Sequence, residues 1–388
     1  IRLGTAEELG TIRRLFAVMG MEPVGYYDLS VAGVPVHSTA FRPVRDEALA
    51  RNPFRVFTSL LRLELIEDEA LRAEAAAILS ARRIFTPRAL ELVERFEKQG
   101  GLDAAEAEEF VREALETFRW HGEANVDEAT YRRLHDAHRL VADVVSFRGP
   151  HINHLTPRTL DIDRVQNAMP ARGIAAKAVV EGPPTRRCPI LLRQTSFQAL
   201  EEPIRFGGGE SSGTHTARFG EIEQRGVALT REGRALYEEL LAEVRDANGA
   251  GSAQDHYDAR LEQAFRRFPD SYEEIRAKGL GFFRYRLARD PAPGDGARTL
   301  EALLADGTVV ADPIVYEDFL PVSAAGIFQS NLGGAEQRAY AGQGSRAAFE
   351  AALGARPADE FALYEAAEAR SLSDLAERLA TPLPDAAQ

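Results

Sequence analysis

The chain has 388 residues, 45% of them hydrophobic and 28% charged, a globular composition with enough apolar material for two or three packed units. Its 47 basic side chains against 60 acidic ones leave a net charge of −13, which argues against a binder of nucleic-acid backbone, since no block of Lys and Arg offsets the repulsion. A single cysteine, Cys188, rules out an internal disulfide, and no apolar run reaches membrane-spanning length, so a cytoplasmic protein with no membrane partner is expected.

In chain order, Ile1-Arg2-Leu3 leads into Thr5-Ala-Glu-Glu8, a capping box that predicts a helix ending at Gly20. Two β-rich runs follow, Val24 to Val31 and Val34 to Phe41, joined in a hairpin at Ala32-Gly33. From Asn52 to Val145 the spacing predicts helix throughout: Val56, Leu60, Leu61 and Leu65 form one stripe. Thr86-Pro87 starts a helix, Asp103 with Glu106 caps another, and Asp127 opens the last, with Tyr131, Leu134, His138 and Val141 on its buried side.

At Gly149-Pro150 the strand-helix-strand-strand order begins again. Ile152 to Thr156 reads as a strand, Leu160 to Met169 as a helix, and Ile174 to Val180 as β. Pro189 to Leu200 and His215 to Ala228 are further strands around a glycine-rich loop, residues 207–213. From Arg231 the chain is predicted to be helical to Arg289, mixed to Gly334, and helical again from Ser345 to Ala380. The expected class is therefore α+β, in four regions: a first βαβββ-like module over 1–50, a helical insert over 51–147, a second βαβββ-like module over 148–230, and a mainly helical C-terminal region over 231–388 completing the pocket.

Most of the eight histidines read as ordinary polar or helical positions. His135 and His138 lie three apart on a helix but lack an acidic partner on that stripe. His154, in Pro150-His-Ile-Asn-His-Leu-Thr-Pro157, sits on a strand opening a module and shares a face with Ile152 and Thr156. Glu221, in Arg218-Phe-Gly-Glu-Ile-Glu-Gln-Arg225, lies in a β run with Glu223 and Arg225 on its face. Such a row of charges marks either a site or an edge strand wearing solvated side chains.

A repeated βαβββ unit is the building block of the vicinal-oxygen-chelate fold, whose paired modules form a cup around one metal. His-Leu-Thr on the first strand and Phe-x-Glu-x-x-Gln-Arg on the last resemble the second half of 4-hydroxyphenylpyruvate dioxygenase and hydroxymandelate synthase. More closely, Val36-His-Ser-Thr-Ala-Phe-Arg-Pro43, Asn52-Pro-Phe-Arg-Val-Phe-Thr-Ser59, Phe219-Gly-Glu-Ile-Glu-Gln-Arg-Gly226 and Glu317-Asp-Phe-Leu-Pro-Val-Ser-Ala-Ala-Gly-Ile-Phe328 are similar to the 2-oxoadipate dioxygenase/decarboxylase family.

The resemblance implies Fe(II) held by two histidines and one carboxylate, with His154 and Glu221 as two of the ligands. The family's motif opens His-Gly-Ala-Ile-Arg, so the third ligand is expected upstream of Ile1, with His37 a weak substitute within the chain or else a pocket residue. It also implies that Arg2, Val322, Ser323 and His154 contact substrate, and Gln194 is a further pocket candidate. A guanidinium suits a carboxylate because its planar fork donates two parallel hydrogen bonds. The implied reaction takes 2-oxoadipate and O2 to 2-hydroxyglutarate and CO2, a step of lysine catabolism. Two other readings are open at this point: an O2-independent metal-dependent isomerase or hydrolase on the same cup, and a non-enzymatic diacid-binding protein.

Overall fold

A computed structural model describes residues 1–30, 33–150, 154–176, 180–207, 211–246, 254–291, 295–320 and 346–379. Strand β1 (Arg2–Leu3) leads into helix α1 (Ala6–Val18). Thr5 caps that helix as expected: its hydroxyl accepts from the Glu8 amide at 3.1 Å, and the Glu8 carboxylate accepts from the Thr5 amide in return. Strands β2 (Glu22–Asp28) and β3 (Val36–Arg42) pair antiparallel. A short helix α2 (Asp46–Arg51) precedes β4 (Val56–Leu61).

β4 corrects the reading of Val56, Leu60 and Leu61 as a helical stripe. It lies between β1 and β3 in a sheet of order β1-β4-β3-β2, so the first sheet runs past residue 50. A strand with neighbours on both edges and cover on both faces loses its polar alternation, and its apolar residues then imitate helical spacing. Register sorts the faces. Arg2 stands opposite Ser59, which stands opposite Ser38; Leu3 stands opposite Leu60, and Leu60 opposite His37. Leu3 and Leu60 pack with Leu9, Ile12 and Phe16 of α1, so Arg2 belongs to the opposite face.

Five helices follow: α3 (Glu69–Ala81), α4 (Pro87–Gln99), α5 (Ala104–Phe118), α6 (Glu128–Ala137) and α7 (Arg139–Val145). Thr86, Asp103 and Asp127 cap α4, α5 and α6 as expected. The last predicted helix is broken at His138, whose side chain accepts from the Leu140 amide and restarts the chain as α7. α7 is buried on every side; Leu140, Val141 and Val144 pack with Val36 and Leu61 at one end of the first sheet.

The second sheet repeats the plan. β5 (His154–Leu155) is followed by α8 (Ile162–Ala168), β6 (Leu192–Arg205) and β7 (Ser212–Arg225), in the order β5-β7-β6, with β5 parallel to β7. Single bridges from Ala176 to Phe197 and from Glu181 to Gln194 flank β6 on its outer edge. β7 is thus a central strand, not an edge strand with solvated charges.

The remainder contributes α9 (Arg231–Asp246), α10 (Gln254–Phe265), α11 (Tyr272–Ala277), β8 (Phe283–Leu287), α12 (Leu300–Ala305), β9 (Val309–Pro313), α13 (Arg346–Leu353) and α14 (Glu360–Arg378). β8 and β9 pair antiparallel in a two-stranded sheet; β8 lies where the sequence predicted helix to Arg289, while β9 falls in the stretch predicted to be mixed. Among the described residues no helix is long and apolar enough to cross a membrane. The C-terminal region is tied to the first sheet by Asp318, which is fully buried. It accepts two hydrogen bonds from Arg42, at 2.6 and 2.9 Å, and one from the Tyr364 hydroxyl at 2.5 Å.

Candidate functional site

Glu221 is 4% exposed, on β7 opposite Ser196 of β6. Its Oε2 accepts from the Thr156 hydroxyl at 3.0 Å and from Gln194 Nε2 at 3.4 Å. Thr156 immediately follows β5 and Gln194 sits on β6, so strands on both sides of β7 orient one carboxylate with neutral donors. His154 takes the β5 register position opposite Phe219, two residues before Glu221 on the neighbouring strand. Gly220, between them, has no alternative: a Cβ there would lie 1.6 Å from the Phe197 ring, its partner across the ladder. Gly220→Ala is expected to displace that ring and the Glu221 backbone, lowering stability by about 1–3 kcal/mol in denaturant titration and cutting turnover disproportionately. A wild-type denaturation midpoint would contradict this packing.

From the first sheet comes Arg2, 7% exposed and ordered by ladder bonds that run through Ile1: the Ile1 amine donates to the Phe57 carbonyl and Ser59 N–H donates to the Ile1 carbonyl. Arg2 Nη1 donates to Asp143 Oδ2 at 3.0 Å. Burial pushes the Arg2 guanidinium below its ordinary value; Asp143 opposes the fall, Arg139 adds to it, and the Glu221 carboxylate opposes it from the second sheet. The two sheets therefore bring Arg2 and Glu221 into one electrostatic neighbourhood. A second cross-sheet link lies two residues along β7: Arg55 Nη2 donates to Glu223 Oε2 at 2.5 Å, and Arg225 Nε donates to Glu223 Oε1 at 2.7 Å. Burial raises the Glu223 carboxyl, but Arg55 and Arg225 together more than offset it and hold the group below its usual value.

His37 is a correction. It stands on the α1 side of β3, opposite Leu60, with its ring 4.7 Å from Phe349 and 6.2 Å from Tyr26. Alternation along the strand puts it on the face away from Arg2, so the structure does not offer it as a substitute ligand beside Glu221. Burial, reinforced by Arg62, lowers its pKa to about 4, as suits a neutral ring in an aromatic core. Gln194 does reach the site. Val322 and Ser323 lie outside the described residues.

Sequence reasoning missed Asp143, His215 and Tyr131. Asp143 Oδ1 stands 3.6 Å from His215 Nε2, and His215 Nδ1 is 2.9 Å from the Tyr131 hydroxyl. A cavity of about 300 Å3 opens beside His215, with Tyr131, His135 and Arg139 in its walls. One signal for Asp143 existed: it is the lone carboxylate inside the apolar run Leu140-Val-Ala-Asp-Val-Val145. Its partner, 141 residues away, was not readable.

Two small sheets of similar strand order, one carrying a buried arginine and the other a buried carboxylate within its electrostatic reach, define a mixed α+β protein. The particular family follows from comparison: a family model described as 2-oxoadipate dioxygenase/decarboxylase matches residues 1–331, and the chain belongs to that family. It is 62% identical over 380 residues to the 2-oxoadipate dioxygenase/decarboxylase of Escherichia coli, spanning 96% of this chain and 83% of that protein. The Mycobacterium tuberculosis protein of the same description is 40% identical over 94% of this chain and 82% of its own. The crystal structure of the hydroxyglutarate synthase from Pseudomonas putida in complex with 2-oxoadipate is 58% identical, with a TM-score of 0.89, covering 98% of this chain and 84% of that one.

Proposed function

We propose that this chain is an Fe(II)-dependent dioxygenase/decarboxylase that converts 2-oxoadipate and O2 to 2-hydroxyglutarate and CO2 in lysine catabolism. The observation that carries the reading is the Glu221 carboxylate, buried and oriented by Thr156 and Gln194 within electrostatic reach of Arg2, in a chain of this family. The two sheets are read as paired βαβββ modules of the vicinal-oxygen-chelate type, curled around the site.

The residues fit a divalent metal in kind. Glu221 is a buried acceptor held on one oxygen by neutral donors, the outer-shell support a ligating carboxylate requires, and His154 occupies the adjacent strand. Among the described residues, no three His, Cys, Asp or Glu side chains converge; a further histidine is proposed from the family motif position preceding Ile1. His154, Glu221 and that further histidine would hold Fe(II), which would supply the oxidative chemistry on a 2-oxo acid. Around that centre the protein binds and orients. Glu221 would be a ligand and Gln194 and Thr156 would fix its rotamer. Arg2 would take the distal carboxylate of the substrate, selecting a diacid over aromatic 2-oxo acids, and the apolar surround of α7 would exclude water. Val322 and Ser323 are proposed as further substrate contacts.

The test is oxygen uptake and CO2 release by the iron-loaded protein with 2-oxoadipate, with 2-hydroxyglutarate identified in equal amount. Turnover that is indifferent to O2 would overturn the reading. Arg2→Ala is expected to lower kcat/KM for 2-oxoadipate by about 10- to 150-fold, the loss of one charge-assisted contact, chiefly through KM.

A further inference from the structure

Arg2 has two carboxylates to choose between. Glu221 acts on it through charge; Asp143 acts through charge and a 3.0 Å hydrogen bond. An arginine that swung to Glu221 would occupy the acceptor proposed for the metal and leave the substrate's distal carboxylate without a partner. Asp143 is the carboxylate that Arg2 touches. It is 4% exposed on α7, flanked by Val141, Ala142, Val144 and Val145, all nearly inaccessible, so its backbone cannot give. Behind it, His215 is 2% exposed, its Nε2 3.6 Å from Asp143 Oδ1 and its other ring nitrogen 2.9 Å from the Tyr131 hydroxyl. A tilted contact with Phe147, 4.6 Å between centroids, and the near-parallel Trp120 ring at 6.2 Å hold the imidazole plane. A carboxylate placed this way restrains the guanidinium from one side and fixes the orientation of its planar fork.

We propose that Asp143, backed by His215, is a positioning residue for Arg2 and thereby determines the preference for a 2-oxo diacid over a 2-oxo monoacid. This inference rests on the role given to Arg2 above. The geometry favours it over a merely structural ion pair because a well-packed apolar pair would serve stability at least as well in a site so buried, whereas only a fixed acid can hold Arg2 against the pull of Glu221.

The experiment measures kcat and KM of the iron-loaded protein for 2-oxoadipate and for 2-oxohexanoate, which has the same chain length without the distal carboxylate. Wild type, Asp143→Asn, Asp143→Ala, Arg2→Ala and the Arg2→Ala/Asp143→Ala double variant are compared. Asp143→Asn keeps the side-chain volume and one acceptor oxygen, so a fold lost in the alanine variant does not end the test. The ratio of the two kcat/KM values is expected to fall by about tenfold or more in the Asp143 variants, mainly through KM for the diacid. In the Arg2→Ala background, removing Asp143 is expected to change the ratio no further. If Asp143 variants slow both substrates alike, the residue is structural and the proposal is overturned. If Arg2→Ala lowers the ratio while the Asp143 variants keep it, the proposal also fails and the role of Arg2 stands. If Arg2→Ala itself keeps the ratio, the reading of Arg2 fails first.

Discussion

Glu221→Ala abolishes coupled oxygen uptake and CO2 release from 2-oxoadipate: this is the largest effect expected on activity. Loss of an outer-shell partner around a ligating group typically costs about 10–100-fold, and Thr156→Val or Gln194→Ala should fall in that range. Removing the acceptor that those two residues orient should exceed it. Glu221→Gln keeps the shape and loses the charge, so it should resemble alanine in iron content and wild type in thermal unfolding. Stability is not expected to suffer in either variant, because Glu221 is 4% exposed and its desolvation cost is relieved on substitution. Iron content by elemental analysis, an oxygen electrode and a thermal melt separate these effects. An alanine variant that turns over within a few-fold of wild type would remove Glu221 from the centre.

The largest effect on stability is expected at Asp318. Arg42 and Tyr364 converge on it from β3 and α14, and neither oxygen of the acid is exposed to water. Burial works against the Arg42 charge, and the Asp318 carboxylate more than compensates, holding the guanidinium above its ordinary value. Asp318→Ala leaves that charge buried without its acid and should cost about 3–5 kcal/mol. The same variant unties the first sheet from the C-terminal region. Arg42→Met combined with Asp318→Leu should recover much of the loss, since the pair's net contribution is far smaller than the cost of breaking it. Chemical denaturation of the two variants reads this directly. Equal destabilisation by the single and double changes would show that the anchor depends on shape rather than on charge.

Short-range features were legible along the chain. The boxes at Thr5 and Asp103 and the Thr86-Pro87 start depend on groups three residues apart, and each caps the helix it announces. The acids of β7 were legible as an anomaly, a row of charges in a β run. That β7 is central rather than an edge, which turns those charges from solvated to buried, came from its neighbours β5 and β6. β4 was misread for the same reason: its cover on both faces is supplied by segments far away in the chain.

By itself the sequence determined the helix starts, the α+β class, the repeated strand-helix-strand-strand order and the motifs that carry the family, because caps, turns and periodicity act within a few residues. Tertiary structure alone decided that His37 faces α1 while Arg2 faces the site, and that Arg2 meets Asp143 from 141 residues away. The face a strand residue presents depends on register with its partner, and a buried charge takes whichever counter-charge packing brings near. Neither quantity is local.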